Sequence, residues 1–294
     1  MKNLFGDKGA IAILAVPGLA IMLFAIAIPL VISLILSFMQ WTGFGTMKFI
    51  GINNYARLIK DDHFWRSLYN VSLLIIITIF FQNIYAFFIA SLLVKLSTKI
   101  SSFLRTIYFI PATLSLVVVT KLWVGIFHPT YGMFNAIIRL LGFPDFEMAW
   151  LGNPKTAIWA IIWIMVWQGF GWALLFFYSG LLTVPRELEE AAVVDGANRF
   201  QIQRYVVLPA MLPVIQSIII IDVISSLKQM EIVYLSTEGG PGGTTQFLAV
   251  YLYQRAFISS EYGYGNAISV LFVIIAVVIT ILIQHIFRKS LEQF

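Results

Sequence analysis

The chain has 294 residues, 60% of them hydrophobic and only 11% charged, with a formal net charge of +5 and a mean hydropathy of +0.90. A soluble domain is about 45–50% apolar and about 25% charged, so this sequence lacks the polar surface to cover a water-exposed globule, and its hydrophobicity excludes intrinsic disorder. It has no cysteine, which removes disulfides, thiolate metal sites and thiol nucleophiles, and His63, His128 and His285 lie too far apart in sequence to suggest a zinc site.

A helix crossing about 30 Å of hydrocarbon needs roughly 20 apolar residues. Six stretches reach that length, at about 11–38, 68–94, 105–128, 156–182, 205–227 and 266–287. They predict an all-α, polytopic membrane protein with six transmembrane helices in a single domain, 1–294. The first stretch follows Lys2 and Lys8 but is too long for the core of a signal peptide, so it reads as a retained span. Gln82 and Asn83 interrupt the second, either as interhelical hydrogen-bonding groups or as contacts for a solute. Lys121 in the third is close enough to a span end to snorkel. Trp41, Trp65, Trp123 and Trp150 fall near span ends and read as an interfacial belt. The fourth contains Trp163, Trp167, Gln168, Gly169, Gly171, Trp172 and Tyr178; its aromatics suit packing or lipid, while Gln168 and the glycines permit a bend or a close approach.

Between the fourth and fifth stretches lies a hydrophilic segment, about 183–209, that is more than a turn. Pro185 followed by Glu187, Glu189 and Glu190 is helix-start chemistry, because proline fits the first turn and acids favour its positive dipole end. Leu188, Ala191, Ala192 and Val193 mark one face, and Gly196 ends the helix. A second short helix around Arg199–Tyr205 leads back to the membrane. Such a pair suits either a groove on a cytoplasmic partner or the bilayer surface. In the fifth stretch Asp222, Ser225, Ser226 and Gln229 share one helical face. A carboxylate there costs about 2.5–3.5 kcal/mol to insert and must face protein or a wet cavity. Beyond it, Thr237–Pro241 is a turn-forming Pro/Gly run.

The positive charge has a membrane explanation rather than a nucleic-acid one. With both termini inside, the four inner segments hold ten Lys and Arg, against eight in outer segments that are almost twice as long in total. The positive-inside rule therefore puts both termini in the cytoplasm.

Glu190-Ala191-Ala192, then Asp195-Gly196 and, nine residues after the glycine, Val206-Val207-Leu208-Pro209 resemble the E-A-A-x3-G-x9-I-x-L-P loop of binding-protein-dependent ABC importer permeases, with valine in place of isoleucine. Thr237-Glu238-Gly239-Gly240-Pro241, with Thr244 and Thr245 downstream, resembles the T-x-G-G-P-x-x-T segment of the carbohydrate-importing branch. The resemblance implies the type I importer permease fold in a bacterial cytoplasmic membrane, and import of a carbohydrate delivered by an extracellular solute-binding protein. It implies a second homologous permease and two ATPase subunits, which would hold ATP and magnesium; no cofactor or catalytic residue is expected in this chain, and it carries no P-loop.

Coupling to the ATPases would fall to Glu190, Ala191, Ala192, Asp195, Gly196, Leu208 and Pro209, with Glu190 pairing to a cation. Counted from Glu190, the membrane sugar site of the maltodextrin permease falls on Gly169, Trp172, Asp222, Ser225, Ser226 and Gln229, with Gln82 and Gln168 as further candidates. Gly239, Gly240 and Pro241 would face the binding protein. The glycine at 169 matches the family and most of the other residue types differ. The spans carry no arginine cluster to clamp a phosphate, which favours a neutral oligosaccharide. An ion-coupled secondary sugar transporter is the competing reading; it would leave the E-A-A loop unexplained.

Overall fold

The computed structural model describes residues 8–291. They form two compact units: one of residues up to Asp61 together with Leu252–Ile274, the other of Asp62–Tyr251 together with the chain from Ile275.

In the first unit, α1 (Lys8–Met22) passes through a π turn, Leu23–Ala27, into α2 (Ile28–Ser37). The turn has a local cause. Pro29 has no N–H to give, and the N–H of Ile28 just before it reaches back five residues to the carbonyl of Leu23. A two-residue hairpin follows, β1 (Met39–Gln40) antiparallel to β2 (Lys48–Phe49), with Met39 opposite Phe49. In α3 (Asn53–Ile59), the buried Asn54 amide donates to the carbonyls of Ser37 (2.8 Å) and Met39 (2.9 Å), fixing the end of α2. Arg57 lies 3.1 Å from Glu261 and over the ring of Tyr264.

The second unit begins with α4 (Asp62–Ile77), a π turn at Thr78–Gln82 and α5 (Asn83–Leu93). Then come α6 (Thr98–Thr113), α7 (Leu116–Ile126), α8 (Met133–Leu140) and the 25-residue α9 (Ala157–Leu181). The hydrophilic segment forms α10 (Arg186–Val194) and α11 (Arg199–Ile202), joined by the π turn Gln203–Val207 to α12 (Leu208–Ala210). Next are α13 (Leu212–Lys228), α14 (Glu231–Ser236) and α15 (Leu248–Tyr253). After a π turn at Gln254–Ile258 comes α16 (Tyr262–Leu291), whose first turns belong to the first unit.

The core of the second unit follows from helical spacing. Ala86, Ala90 and Leu93 of α5 face Phe170, Ala173, Leu174 and Phe177 of α9, an i, i+4, i+7 stripe meeting an i, i+3, i+4, i+7 stripe. Small residues bring backbones close, as helices do in lipid: a Cβ on Gly171 would lie 2.6 Å from the Tyr108 carbonyl oxygen and 2.8 Å from the Phe109 Cα of α6.

Among the described residues, four helical stretches are continuous, apolar and long enough to span: Ala12–Ser37, Asp62–Leu93, Ala157–Leu181 and Tyr262–Arg288. The third and fifth expected spans are not straight. α6 and α7 meet at 93°, and the α11–α12 segment meets α13 at 67°, so the count reaches six only if each bent pair is one span. At the first break Leu114 and Ser115 are extended, with ψ of 144° and 137°. At the second, Pro209 and Pro213 flank Met211, and Pro213 opens α13 in the first turn, where its missing N–H costs nothing. The tryptophan belt is also corrected: Trp123 is buried, edge-on to Trp163 and Trp167 and tilted against Phe127. Trp150 donates to Asn135 Oδ1 at 2.6 Å, and the Asn135 amide in turn bonds the carbonyls of Pro129 and Met148. Both rings hold protein together instead of marking an interface.

Candidate functional site

Helix α13 and the turn before α5 enclose a cavity of about 110 Å³ against α9. Seven residues singled out from the sequence line it: Gln82, Gln168, Gly169, Asp222, Ser225, Ser226 and Gln229. Asp222, Ser225 and Ser226 come from one face of α13 by ordinary helical periodicity, whereas Gln229, expected on that face, reaches the cavity from the extended C-cap just past the helix end. Gly169 leaves room because no side chain stands between α9 and Gln82. Trp172 is not among the lining residues; it is half exposed, edge-on to Phe109 at 5.2 Å.

The structure adds two features to the sequence reading of this cavity. Thr78 lines it one turn before Gln82, a polar pair at i, i+4 in an apolar run that could have been noticed. The Thr78 hydroxyl donates to the carbonyls of Leu74 and Ile75, both at 3.0 Å. Such back-bonding competes with the helical ladder, and the ladder widens there: the Asn83 N–H bonds the Thr78 carbonyl five residues back. The second is the partner of Asn83: that residue does not line the cavity, but its Nδ2 donates to Asp222 Oδ2 at 2.7 Å, the interhelical hydrogen bond that is one of its two expected roles. This bond ties α5 to α13 and gives the intramembrane acid a protein partner, as its insertion cost demands. Among the described residues, two buried polar atoms of the lining have no protein partner, Gln82 Oε1 and Gln229 Nε2, and a third, Asn83 Oδ1, lies outside it. Buried amide atoms are almost always satisfied, so this wall is set for a ligand or water to complete.

The segment after α9 is a capped elbow. The Gly196 N–H bonds the Val193 carbonyl and the Ala197 N–H bonds that of Ala192, at 3.0 and 2.9 Å. Together they are the paired bonds of a Schellman cap, with Gly196 at φ +83°. Asn198 and Gln201 then cap α11 reciprocally, at 2.8 and 3.0 Å. Of the face expected to be apolar and shared, only Ala192 turns inward; Leu188, Ala191 and Val193 are exposed, as are Glu190, Asp195 and Gly196. Val184, Ile202, Val207 and Met211 sit in the same buried cluster as the α5–α9 stripe, so both ends of the elbow are rooted in the bundle. Leu208 and Pro209 are half-buried just beyond it.

The Thr237–Thr245 loop is knotted by its own hydroxyls. Thr237 and Thr245 share a 2.8 Å hydrogen bond, and Thr245 Oγ1 donates to the Gly240 carbonyl at 2.6 Å. Gly239, Gly242 and Gly243 have positive φ, which explains the glycine content. The loop is pinned to α4 by Asn70, which donates to the carbonyls of Thr244 (3.0 Å) and Gln246 (2.9 Å). Gly240 and Pro241 remain half-buried at its tip.

Residues 82–293 match the family described as binding-protein-dependent transport system inner membrane component. The chain belongs to this family. The permease is 31% identical to a probable ABC transporter permease protein of Pyrococcus horikoshii, over 94% of each chain. It is 34% identical to the multiple sugar-binding transport system permease protein MsmF of Streptococcus mutans, over 82% of this chain and 83% of that one. It is 30% identical to the trehalose/maltose transport system permease protein MalF of Thermococcus litoralis, over 79% and 78%. Its fold is that of a membrane chain in a bacterial ABC transporter for import of the acidic polysaccharide alginate, with a TM-score of 0.82 at 22% identity over 98% of both chains.

Proposed function

We propose that this permease translocates a carbohydrate, an oligosaccharide by the character of its relatives, in an ATP-driven importer. It works beside a second, homologous permease, with two ATPase subunits that bind ATP and magnesium and an extracellular solute-binding protein that delivers the sugar. The chain, 1–294, acts as one permease domain in the bacterial inner membrane, with both termini cytoplasmic. The observation that carries the sugar path is the convergence of Gln82, Gln168, Asp222, Ser225, Ser226 and Gln229 on one cavity in an otherwise apolar bundle. A saccharide needs such neutral donors and acceptors, and the unpartnered amide atoms supply them.

The elbow serves as the coupling element. Glu190, Ala191, Asp195 and Gly196 face outward to meet an ATPase, while Ala192 and the buried residues at the elbow's roots transmit its displacement to α9 and α13. Gly240 and Pro241 form the binding-protein side; Gly239, expected with them, is buried against Gln246 and shapes the loop instead. In proteoliposomes of the whole complex, Glu190→Lys should abolish uptake and binding-protein-stimulated ATP hydrolysis while the binding protein's own sugar affinity is unchanged. Wild-type uptake by that variant would refute the coupling role; wild-type uptake by Gly169→Leu, whose side chain would occupy the cavity, would refute the path.

A further inference from the structure

The charge of the cavity narrows what can enter it. Its lining includes amides, hydroxyls and one ionisable group, Asp222; no Lys, Arg or His lines it. Asp222 makes a single hydrogen bond, accepting at Oδ2 from Asn83. That bond fixes the plane of the carboxyl group and leaves Oδ1 available to a ligand. Two unpartnered atoms belong to the lining, an acceptor, Gln82 Oε1, and a donor, Gln229 Nε2. A ligand that satisfies this wall must both donate, to Asp222 and Gln82, and accept, from Gln229. Hydroxyl groups do both and ammonium groups donate, whereas a carboxylate or phosphate is acceptor-only and would be buried with no counter-charge beside an acid.

We propose that Asp222, held in place by Asn83, is a specificity-determining residue that makes this cavity reject anionic saccharides and admit neutral or amino sugars. The inference rests on the reading of the cavity as the sugar path. It also sets this permease apart from the alginate importer whose fold it shares, because fold at 22% identity carries no substrate with it.

The chain's lack of cysteine gives a direct test. Ser225→Cys places one thiol on the cavity wall, and its rate of maleimide labelling, read by mass on this chain in the purified complex without binding protein, reports occupancy. The probes are three trisaccharides of glucose, glucosamine and galacturonate. The glucose and glucosamine trimers should slow labelling at concentrations at least ~tenfold below the galacturonate trimer, as like-charge juxtaposition demands. Adding Asp222→Asn should erase that preference, and Asp222→Glu should keep it. Asn83→Ala, which frees the carboxyl group to rotate, should weaken protection by the neutral trimer without restoring the anionic one. Equal protection by neutral and anionic trimers, or a preference that survives Asp222→Asn, overturns the charge filter and leaves the sugar path standing. No protection by any of the three overturns the path itself.

Discussion

Two glycines on one helix give opposite expectations for the same added methyl group. At Gly171 a Cβ would lie 2.6 Å from the Tyr108 carbonyl oxygen and 2.8 Å from the Phe109 Cα, whereas at Gly169 its nearest neighbour is Gln82 Oε1 at 3.5 Å. Both of the close atoms at Gly171 are backbone, so no side chain can swing aside. For Gly171→Ala, α6 must retreat by about 0.8 Å for the closer contact to open from 2.6 Å to the 3.4 Å of ordinary van der Waals contact. Overpacking of this kind costs about 1–3 kcal/mol. Gly169→Ala requires no such movement and adds one methyl to the cavity wall. Thermal unfolding of the purified complex, followed by loss of the monodisperse peak, should place Gly171→Ala several degrees below wild type and Gly169→Ala close to it. Equal losses, or a greater loss at Gly169, would refute the close approach of α6 and α9.

Other outcomes follow from the same geometry. Gly196→Ala meets nothing within 4 Å but must hold φ at +83°, so it should cost about 1–2 kcal/mol of strain and reduce ATPase-coupled uptake, measured against binding-protein-stimulated hydrolysis. Asn70→Ala removes both side-chain bonds to the Thr244 and Gln246 carbonyls. At about 1–3 kcal/mol for each buried group left unpaired, it should loosen the 237–245 loop, seen as faster proteolysis there and weaker stimulation by the binding protein. Arg57→Ala breaks a half-exposed ion pair with Glu261; exposed pairs contribute about 0.2–1 kcal/mol, so thermal stability should barely move.

Much of this was legible in the sequence, because composition and periodicity act through a few strong terms. Span lengths follow from hydrocarbon thickness, and the α13 face from a 3.6-residue repeat that places Asp222, Ser225 and Ser226 together; Gln229 joins them only because the chain turns extended after Lys228. The glycine at 196 announces its own positive φ. Direction was not legible. Hydropathy counts apolar residues without regard to where a helix turns, so the 93° break at Leu114 and Ser115 passed unseen. The break at Met211 left a clue in Pro209 and Pro213, but two prolines inside an apolar run fit a kinked span as well as a broken one. Trp123 shows the same limit, since an indole near a span end has equal hydropathy whether it meets lipid or, as here, Trp163 and Trp167. The Asn83–Asp222 bond joins residues 139 positions apart, a pairing that no local pattern encodes.

The widened turn at Thr78–Gln82 has a consequence for how such a cavity changes over generations. A bond spanning five residues encloses one more than a bond spanning four, so the helix there accommodates one surplus residue. Deleting that residue would let the ladder close and leave the helix beyond it in phase, whereas tightening the turn without a deletion would swing everything beyond it by about 100° about the axis, carrying Asn83 away from Asp222. A single codon lost from this stretch would therefore alter only the wall groups of the turn itself, Thr78 and Gln82, while α5 keeps its place against α13.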